Sequence, residues 1–393
     1  MVSSLDIAIA GAGIGGLAVG AALAKAGHSV QIFDQFDAPA PVGSGLVIQP
    51  VGQRVLERIG ALDGAMAQGN RVHRMLGHET QSGRPVLDVS YDAPGDPRFG
   101  LAIHRAALFN TLFATAERAG VQIVTSSTVT AVEPGHLICG DQRYGPFDMI
   151  VDSTGAGSPL SAMKARRLSY GALWGTVDWP DEVDLPRNEL RQMYRRADRM
   201  LGVLPIGTVP GQSGPKAAIF WSLPQHSYQM WLDNGLEQWR DEAAQLWPGF
   251  APFVNQITDP AQMTMARYSH GTLRRPYDEN TVFIGDAAHR ASPQLGQGAN
   301  MALLDALALA RSLEVAGGDV QIARRWYAQA RRWHVRGYQA MSWMFTPQYQ
   351  SDSRVLPWLR DRLLFPLSTV RPVPAILTRL VCGDLLPPLG SLE

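Results

Sequence analysis

Gly11, Gly13 and Gly16 stand at Gly-x-Gly-x-x-Gly spacing, and Asp34 lies 21 residues after Gly13. These residue types suit a ligand with a pyrophosphate and a ribose. Gly11 permits a tight turn, Gly13 lets a pyrophosphate approach backbone N–H groups, and Gly16 lets a helix lie close to a strand. The helix N-terminus attracts the anion, and Asp34 would accept hydrogen bonds from ribose hydroxyls. The glycines alone are a weak signal, since a turn chosen for packing would contain them too. The apolar run before Gly11, the helix after Gly13 and the strand ending at Asp34 are all in register, and together they point to dinucleotide binding.

A second cluster lies near the far end of the chain. It reads Gly285-Asp286-Ala287-Ala288-His289, then Ser292-Pro293-Gln294-Leu295-Gly296-Gln297-Gly298-Ala299-Asn300-Met301, then Asp305-Ala306. An apolar strand precedes Asp286 and a helix follows Gly298, which a surface loop of similar composition would not require. Glycines permit close backbone approach to a flat ring, and a helix N-terminus stabilises negative charge on such a ring. Here the chain resembles the class A flavoprotein monooxygenases, the single-chain FAD-dependent aromatic hydroxylases. The resemblance implies that Asp286 hydrogen-bonds the ribityl chain of FAD. It also implies that Pro293 to Asn300 passes the isoalloxazine ring and opens a helix toward its pyrimidine end.

Other stretches carry the same resemblance. Gly43-Ser44-Gly45-Leu46, with Pro50 and Gly60, resembles the loop bordering the flavin. His104-Arg105 with Leu108 resembles the motif whose Arg meets the FAD phosphates, although an ordinary helix-surface arginine would look the same. Tyr327 and Arg331 resemble a Tyr-then-Arg helix following the FAD domain. Arg360-Asp361 and Gly383 resemble the C-terminal stretch of ubiquinone-hydroxylase-like members. The implied FAD-binding set is Gly11, Ala12, Gly13, Ile14, Gly16, Asp34, Gln35, Gly45, Leu46, Arg105, Val129, Gly155, Asp286, Pro293, Gly296, Gly298, Ala299 and Asn300.

One stretch departs from the family pattern. Where the family carries Gly-Ala-Asp-Gly, this chain reads Asp152-Ser153-Thr154-Gly155, so the acid has moved two places toward the N-terminus. Thr154 then occupies the position from which the family's Asp meets both FAD and the reduced nicotinamide. The expectation is either slow or unusual reduction by NADPH or NADH, or a turn that only packs its strand.

No metal site is expected, because no His-x-x-x-His or Cys-x-x-Cys occurs. No catalytic base is singled out: His226, His270, Asp233 and Tyr228 have no local pattern to select one. Trp174, Trp179, Trp221, Trp231, Trp239 and Trp247 read mostly as sheet core, with one or two lining a pocket for a flat substrate. The basic, aromatic stretch from Ala323 to Tyr338 reads as a solvated helix face or as a surface touching a membrane.

The elements that must position these residues alternate. Residues 5–10, 14–26 and 28–34 read as strand, helix and buried strand, a β-α-β unit with a right-handed crossover. Residues 36–50 form a loop dense in Gly and Pro, with a helix near 51–59. A helix is expected over 104–119, strand material over 121–132 and a buried strand over 147–152. From about 170 to 268, short strand-like pieces such as 217–223 and 227–233 suggest an antiparallel sheet. A strand then enters the turn at Asp286, and a long helix covers 298–315. The tail, 320–393, reads helical.

The fold class is therefore α/β: a Rossmann-like FAD-binding domain, an inserted antiparallel or mixed sheet domain for substrate, and a helical C-terminal region. The expected boundaries are 1–75, 100–169 and 270–335 for the FAD domain, 76–99 and 170–269 for the sheet domain, and 336–393 for the helical region.

Composition fits this reading. With 35 basic and 35 acidic residues the chain is neutral, which argues against bulk nucleic-acid binding. At 46 % apolar and 18 % charged residues it is not a disordered chain. Cys139 and Cys382 are too few and too far apart for a disulfide framework, and they fit a reducing, cytoplasmic setting. Leu5 to Ala24 matches a membrane span in length only; its turn glycines and the lack of a basic stretch before it argue against a span and a signal peptide.

The resemblance implies a reaction in which NADPH or NADH reduces FAD, O2 adds at the flavin C4a, and the hydroperoxide transfers one oxygen to an aromatic, polycyclic or other lipophilic small molecule. The alternatives are an FAD-dependent dehydrogenase, reductase or halogenase-like enzyme without oxygen insertion, and a flavin-binding sensor or scaffold. The expected partners are an organic substrate and O2, with no nucleic acid, in a monomer or homodimer.

Overall fold

The computed structural model describes residues 4–37, 44–92 and 96–392. Gly43, named above in the loop beside the flavin, lies outside them.

The chain opens with β1 (Asp6–Ala10), α1 (Ile14–Lys25) and β2 (Ser29–Phe33), the expected β-α-β unit with a parallel strand pair. Next come β3 (Gly45–Ile48), α2 (Pro50–Ile59), α3 (Leu62–Gln68), β4 (Asn70–Val72), β5 (Arg74–Glu79), β6 (Pro85–Ser90), β7 (Gly100–His104) and α4 (Arg105–Arg118). A short strand β8 (Gln122–Val124) precedes the meander β9 (Val129–Glu133), β10 (His136–Cys139) and β11 (Gln142–Tyr144), and β12 (Met149–Asp152) follows. The middle of the chain holds β13 (Arg166–Asp178), β14 (Glu189–Arg195), β15 (Arg199–Gly207), β16 (Lys216–Pro224), α5 (Tyr228–Leu246), α6 (Ala251–Val254) and β17 (Thr264–Thr272). The last third holds β18 (Thr281–Phe283), β19 (His289–Arg290), α7 (Gly298–Val315), α8 (Val320–Tyr349), α9 (Val355–Leu359), a π turn over Arg360–Leu364, α10 (Phe365–Ser368) and α11 (Val373–Cys382).

Two large sheets organise these elements. The first is parallel, in the order β18-β12-β1-β2-β8, so the chain leaves it after β12 and returns at β18. The second has the order β19-β17-β13-β16-β15-β14-β5-β6 and is antiparallel except where β14 runs parallel to β5. A three-stranded sheet, β3-β7-β4, joins them: a Cβ on Gly45 would lie 2.3 Å from Ile206 and 2.8 Å from Ala218 of the second sheet.

The eight-stranded sheet is covered on both faces. Leu173, Leu201, Ile219 and Trp221 point to a face packed by α5 and α6 through Trp231, Trp239, Phe250 and Phe253. Leu204, Ile206, Ala218 and Phe220 point the other way, toward β4, β7 and α11. That alternation follows from the two-residue period of a strand.

Two expectations need correction. Residues 227–233 are not a strand but the start of α5. Its buried residues Trp231, Trp239 and Ala243 are spaced eight and four apart, a helical period visible only over a longer window. Gly235, at φ 78°, kinks the helix and looks like a turn in the sequence. The Gly- and Pro-rich stretch 36–50 also contains a strand, β3, whose tertiary pairing with β7 overrides its loop-like composition.

Candidate functional site

All five strands of the first sheet run the same way, so the segments after β1, β12 and β18 emerge on one edge. In such sheets ligands bind outside the carboxyl ends of the strands. After β1, Gly11 takes φ +95°, and a Cβ there would lie 2.7 Å from the Ser153 carbonyl oxygen that follows β12. A Cβ on Gly16 would lie 1.8 Å from the Gly11 carbonyl oxygen, so α1 rests directly on the turn. At Gly15 the nearest atoms would be Ser153 Oγ, Ala302 and Ile284, which brings in β18 and α7 as well. The three segments therefore interlock.

Gly13, Gly155, Gly157 and Gly298 behave differently. A Cβ on any of them would meet no described atom within 4 Å. These glycines border open space instead of filling a packing gap. α1 and α7 both begin there, neither with a side-chain cap nor with an acidic residue in its first turn. Two unopposed helix N-termini with bare backbone between them form a cradle for an anionic, flat ligand. Among the described residues, Gln294 Nε2 is buried without a partner on the same loop. These features fit FAD.

Asp34 supports the first turn. Its Oδ2 accepts the Ala12 N–H at 2.5 Å and its Oδ1 the Phe36 N–H at 3.2 Å, so it fixes the glycine loop as well as marking the end of β2. Each oxygen keeps a second lone pair for a hydroxyl. Ile14 is buried at the head of α1, and Gln35 is exposed next to Asp34.

Asp286 lies in the turn after β18 with an exposed side chain. Neighbouring protein nonetheless crowds it enough to raise its pKa, against the pull of His289, Arg105 and Arg290. Arg105, the first residue of α4, is exposed, and its N–H donates to the Ser44 carbonyl. β3 pairs with β7 so that Gly45 faces His104 and Leu46 faces Ile103. Asp286, Arg105, Gly45 and Leu46 are thus brought to the same crevice. His104 caps α4, accepting the Ala106 N–H on Nδ1.

Pro293 and Gly296 shape the turn before α7, with Gly296 at φ +61°. Ala299 follows in the first turn of α7. Asn300 is fully buried: its Oδ1 accepts the Gln49 N–H at 2.8 Å, and its Nδ2 donates to the Val47 and Gly296 carbonyls. Asn300 therefore ties the 293–297 turn to β3 and α2. Val129 is the outlier, its side chain packed with Ala8, Phe33 and Ile150 beneath the parallel sheet.

The turn after β12 shows what holds Thr154. Asp152 is fully buried. Its Oδ1 accepts the Thr154 N–H at 2.9 Å and the Thr154 Oγ1 hydroxyl at 2.6 Å, while Oδ2 accepts the Ser158 hydroxyl. The Thr154 hydroxyl is committed to the turn, because the displaced acid sits inside the strand end and needs its donors.

Behind the crevice lies a buried charge hub to which the sequence motifs assign no role. Asp305 accepts the Gly285 N–H at 2.8 Å, His289 Nε2 at 2.6 Å and Arg331 Nε at 2.7 Å. Burial alone would raise its pKa, but His289 and Arg331 hold it at about 2. Arg331 reaches on to His334 and the Pro388 carbonyl, and the Tyr327 hydroxyl donates to the Phe283 carbonyl. The sequence signal was present: Asp305 is a lone acid inside the apolar run from Ala302 to Ala310.

Of the four candidate bases, His226 and Asp233 are exposed, and Tyr228 packs with α5 on the outer face of the second sheet. His270 instead approaches the Ser342 hydroxyl at 3.3 Å, and Ser342 meets Ser292 at 3.0 Å just before Pro293. Burial lowers the His270 pKa. Trp174 Nε1 donates to the Tyr268 hydroxyl at 2.9 Å, and its ring tilts against Phe220 at 4.8 Å, on the inner face. Burial pushes the Tyr268 phenol up to about 12, so it stays protonated at neutral pH.

Comparison with known proteins agrees with this geometry. A family model described as FAD binding domain matches residues 4–136 and 226–321, more than half of the chain. The chain is 26 % identical to an aurachin C monooxygenase/isomerase of Stigmatella aurantiaca over 94 % of its own length and 96 % of the relative's. It is 25 % identical to a 3-hydroxybenzoate 6-hydroxylase of Polaromonas naphthalenivorans, covering 84 % of each chain. Among solved structures, a tetrameric 2-methyl-3-hydroxypyridine-5-carboxylic acid oxygenase superposes with a TM-score of 0.80 at 20 % identity, over 96 % of both chains.

Proposed function

Since this chain belongs to the FAD binding domain family and is an FAD-dependent monooxygenase using NADPH or NADH, we propose that it inserts one oxygen atom from O2 into an aromatic or other lipophilic small molecule held against its second sheet. The observation that carries this reading is the open crevice where the carboxyl ends of β1, β12 and β18 meet two uncapped helix N-termini. The 3-hydroxybenzoate 6-hydroxylase acts on an aromatic acid by its name, which supports the substrate class.

In this reading residues 1–75, 100–169 and 270–335 hold FAD, and residues 76–99 with 170–269 hold the substrate. Backbone N–H groups at Gly13 and Ile14 would receive the pyrophosphate, with Arg105 supplying countercharge. Asp34 and Asp286 would accept the ribose and ribityl hydroxyls, and the turn from Pro293 to Gly298 would border the ring. FAD, when bound, would supply the redox chemistry that activates O2.

The protein's own part is orientation and exclusion of water. The N-terminus of α7 stabilises negative charge on a neighbouring ring. Trp174, half-buried, offers a flat apolar wall to an aromatic substrate, with the buried Phe220 ring packed behind it. Tyr268 keeps its phenolic proton and orients it, because its oxygen already accepts from Trp174. His270 stays neutral at physiological pH and shares a hydrogen bond with Ser342. The two free, buried thiols, Cys139 and Cys382, support a reducing, cytoplasmic setting.

The test is a screen of hydroxylated aromatic and N-heteroaromatic acids and quinolones with purified protein, NADPH or NADH, and isotopically labelled O2. The expected result is substrate-stimulated nicotinamide oxidation with one labelled oxygen atom in the product. A substrate reduced or dehydrogenated with no label incorporated would overturn oxygen insertion.

A further inference from the structure

The C-terminal region presents an apolar surface that nothing else in the described chain covers. Trp343 (66 % exposed) and Met344 lie in the last two turns of α8, Val355 and Trp358 (63 % exposed) lie on α9, and Leu367 and Ile376 follow on α10 and α11. Trp333, also 67 % exposed, sits eleven residues before Met344, about three turns away on the same side of α8. α9, the π turn, α10 and α11 pack successively on one another, so their outward residues form one face. Isolated exposed apolar residues are ordinary, but a cluster of tryptophans and leucines on consecutive helices marks a binding surface.

The charge around this face is one-sided. From Val320 to Ile376 the neutral chain places nine arginines against two aspartates and no other charged residue. Arg331 and Arg360 are buried, Arg360 lying over the rings of Tyr194 and Tyr349. Arg332, Arg336, Arg354, Arg362 and Arg371 are exposed and have no ion-pair partner among the described residues. Neither acid offsets them: Asp352 accepts the Tyr170 hydroxyl and Asp361 the Arg360 guanidinium.

We propose that this face docks on an anionic lipid surface, with Trp343, Trp358 and Leu367 in the headgroup–acyl boundary and the arginines among the phosphates. Amphipathic surfaces rich in Trp and Leu and rimmed by Arg bind membranes in this way. A second copy of the chain is the poorer occupant, because it would bring an identical positive rim against this one. No described helix is long and apolar enough to cross a membrane, so the contact is peripheral. Arg360 and the Asp352–Tyr170 bond anchor the region to the second sheet, which puts a docked lipid surface next to the side that takes a lipophilic substrate.

The experiment is flotation of the FAD-loaded protein with vesicles of phosphatidylcholine alone or with 30 mol % phosphatidylglycerol. Partition into the anionic vesicles is expected to exceed partition into the neutral ones at least tenfold. Raised salt should reduce it, and each of Arg354→Gln, Arg362→Gln and Arg371→Gln should weaken it by about fivefold. The exposed double variant Trp343→Ser/Trp358→Ser should lose partition while keeping its flavin absorbance. The proposal fails if the wild-type protein does not float with anionic vesicles. It fails equally if sedimentation shows a dimer that the double variant dissolves, since a second copy then covers the face.

Discussion

Arg331 Nη1 lies 3.3 Å from His334 Nδ1, while His334 Nε2 lies 2.8 Å from the Gly383 carbonyl oxygen. These partners fix one neutral tautomer: Nε2–H donates to the carbonyl, and Nδ1 accepts from the guanidinium. A proton on Nδ1 would cancel the Arg331 bond and set two cations side by side in the interior.

The first prediction concerns acid stability. Burial, together with Arg331, lowers the His334 pKa to about 3. The unfolded chain therefore takes up a proton near pH 6.5 while the folded chain does not, and stability declines as pH falls from about 6.5 toward 3. Asp305, held at about 2, adds a loss of the same sign below the ordinary aspartate value of 3.8. His334→Gln should flatten the upper part of that slope and leave the part below pH 4. Thermal unfolding followed at intervals from pH 8 to pH 3 reads both. A melting temperature independent of pH between 7 and 4 in the wild type would contradict the assignment.

Thr154 carries the second prediction. Its hydroxyl donates to the buried Asp152, so Thr154→Asp would set two carboxylates against each other in place of a hydrogen bond. The variant should melt lower than wild type and reduce no faster with NADPH. Thr154→Val, which keeps the shape and removes the donor, should cost about 1–3 kcal/mol. Thermal melts and stopped-flow reduction check both variants, and faster flavin reduction in Thr154→Asp would show that this position meets the nicotinamide after all.

The third prediction separates two tryptophans on neighbouring strands. Trp221 pairs with Leu173 and Trp174 with Phe220, so the two indoles face opposite sides of the sheet. Trp221 is buried against Trp239 at 6.1 Å, under α5. Trp221→Ala should cost about 3–5 kcal/mol of stability. Trp174→Ala should leave FAD loading intact and lower kcat/KM for the substrate, mainly through KM. Equal stability losses with unchanged kinetics would make both tryptophans plain core.

Much of this is legible in the sequence. The glycine turn with Asp34, the strand into Asp286 and the helix from Gly298 are local patterns, set by residues a few positions apart. What escaped depended on partners distant in sequence. Asp152 and Thr154 could not be read as a closed turn without the burial of the strand end. Asp305 and Arg331 lie 26 residues apart and meet only because α7 and α8 pack together. The helix at Tyr228 was hidden by Gly235, whose kink reads as a turn in sequence.

The last prediction uses the glycine loop itself. Gly13 and Gly16 belong to one motif, yet their surroundings differ. A Cβ on Gly16 would meet the Gly11 carbonyl oxygen at 1.8 Å, a backbone atom that cannot move without opening the turn. Gly13, at φ −72° and ψ −174°, sits where an alanine is unstrained, and a Cβ there would meet no described atom within 4 Å. Gly16→Ala should therefore fail to fold, whether or not FAD is present. Gly13→Ala should fold with a wild-type circular dichroism spectrum, because nothing in the protein occupies the added methyl's place. If the pyrophosphate approaches there, the methyl should weaken FAD by at least about tenfold, the loss of one charge-assisted hydrogen bond. Titration of the apoprotein with FAD, followed by quenching of flavin fluorescence, measures this directly. An unchanged FAD affinity in a well-folded Gly13→Ala protein would move the pyrophosphate away from the N-terminus of α1.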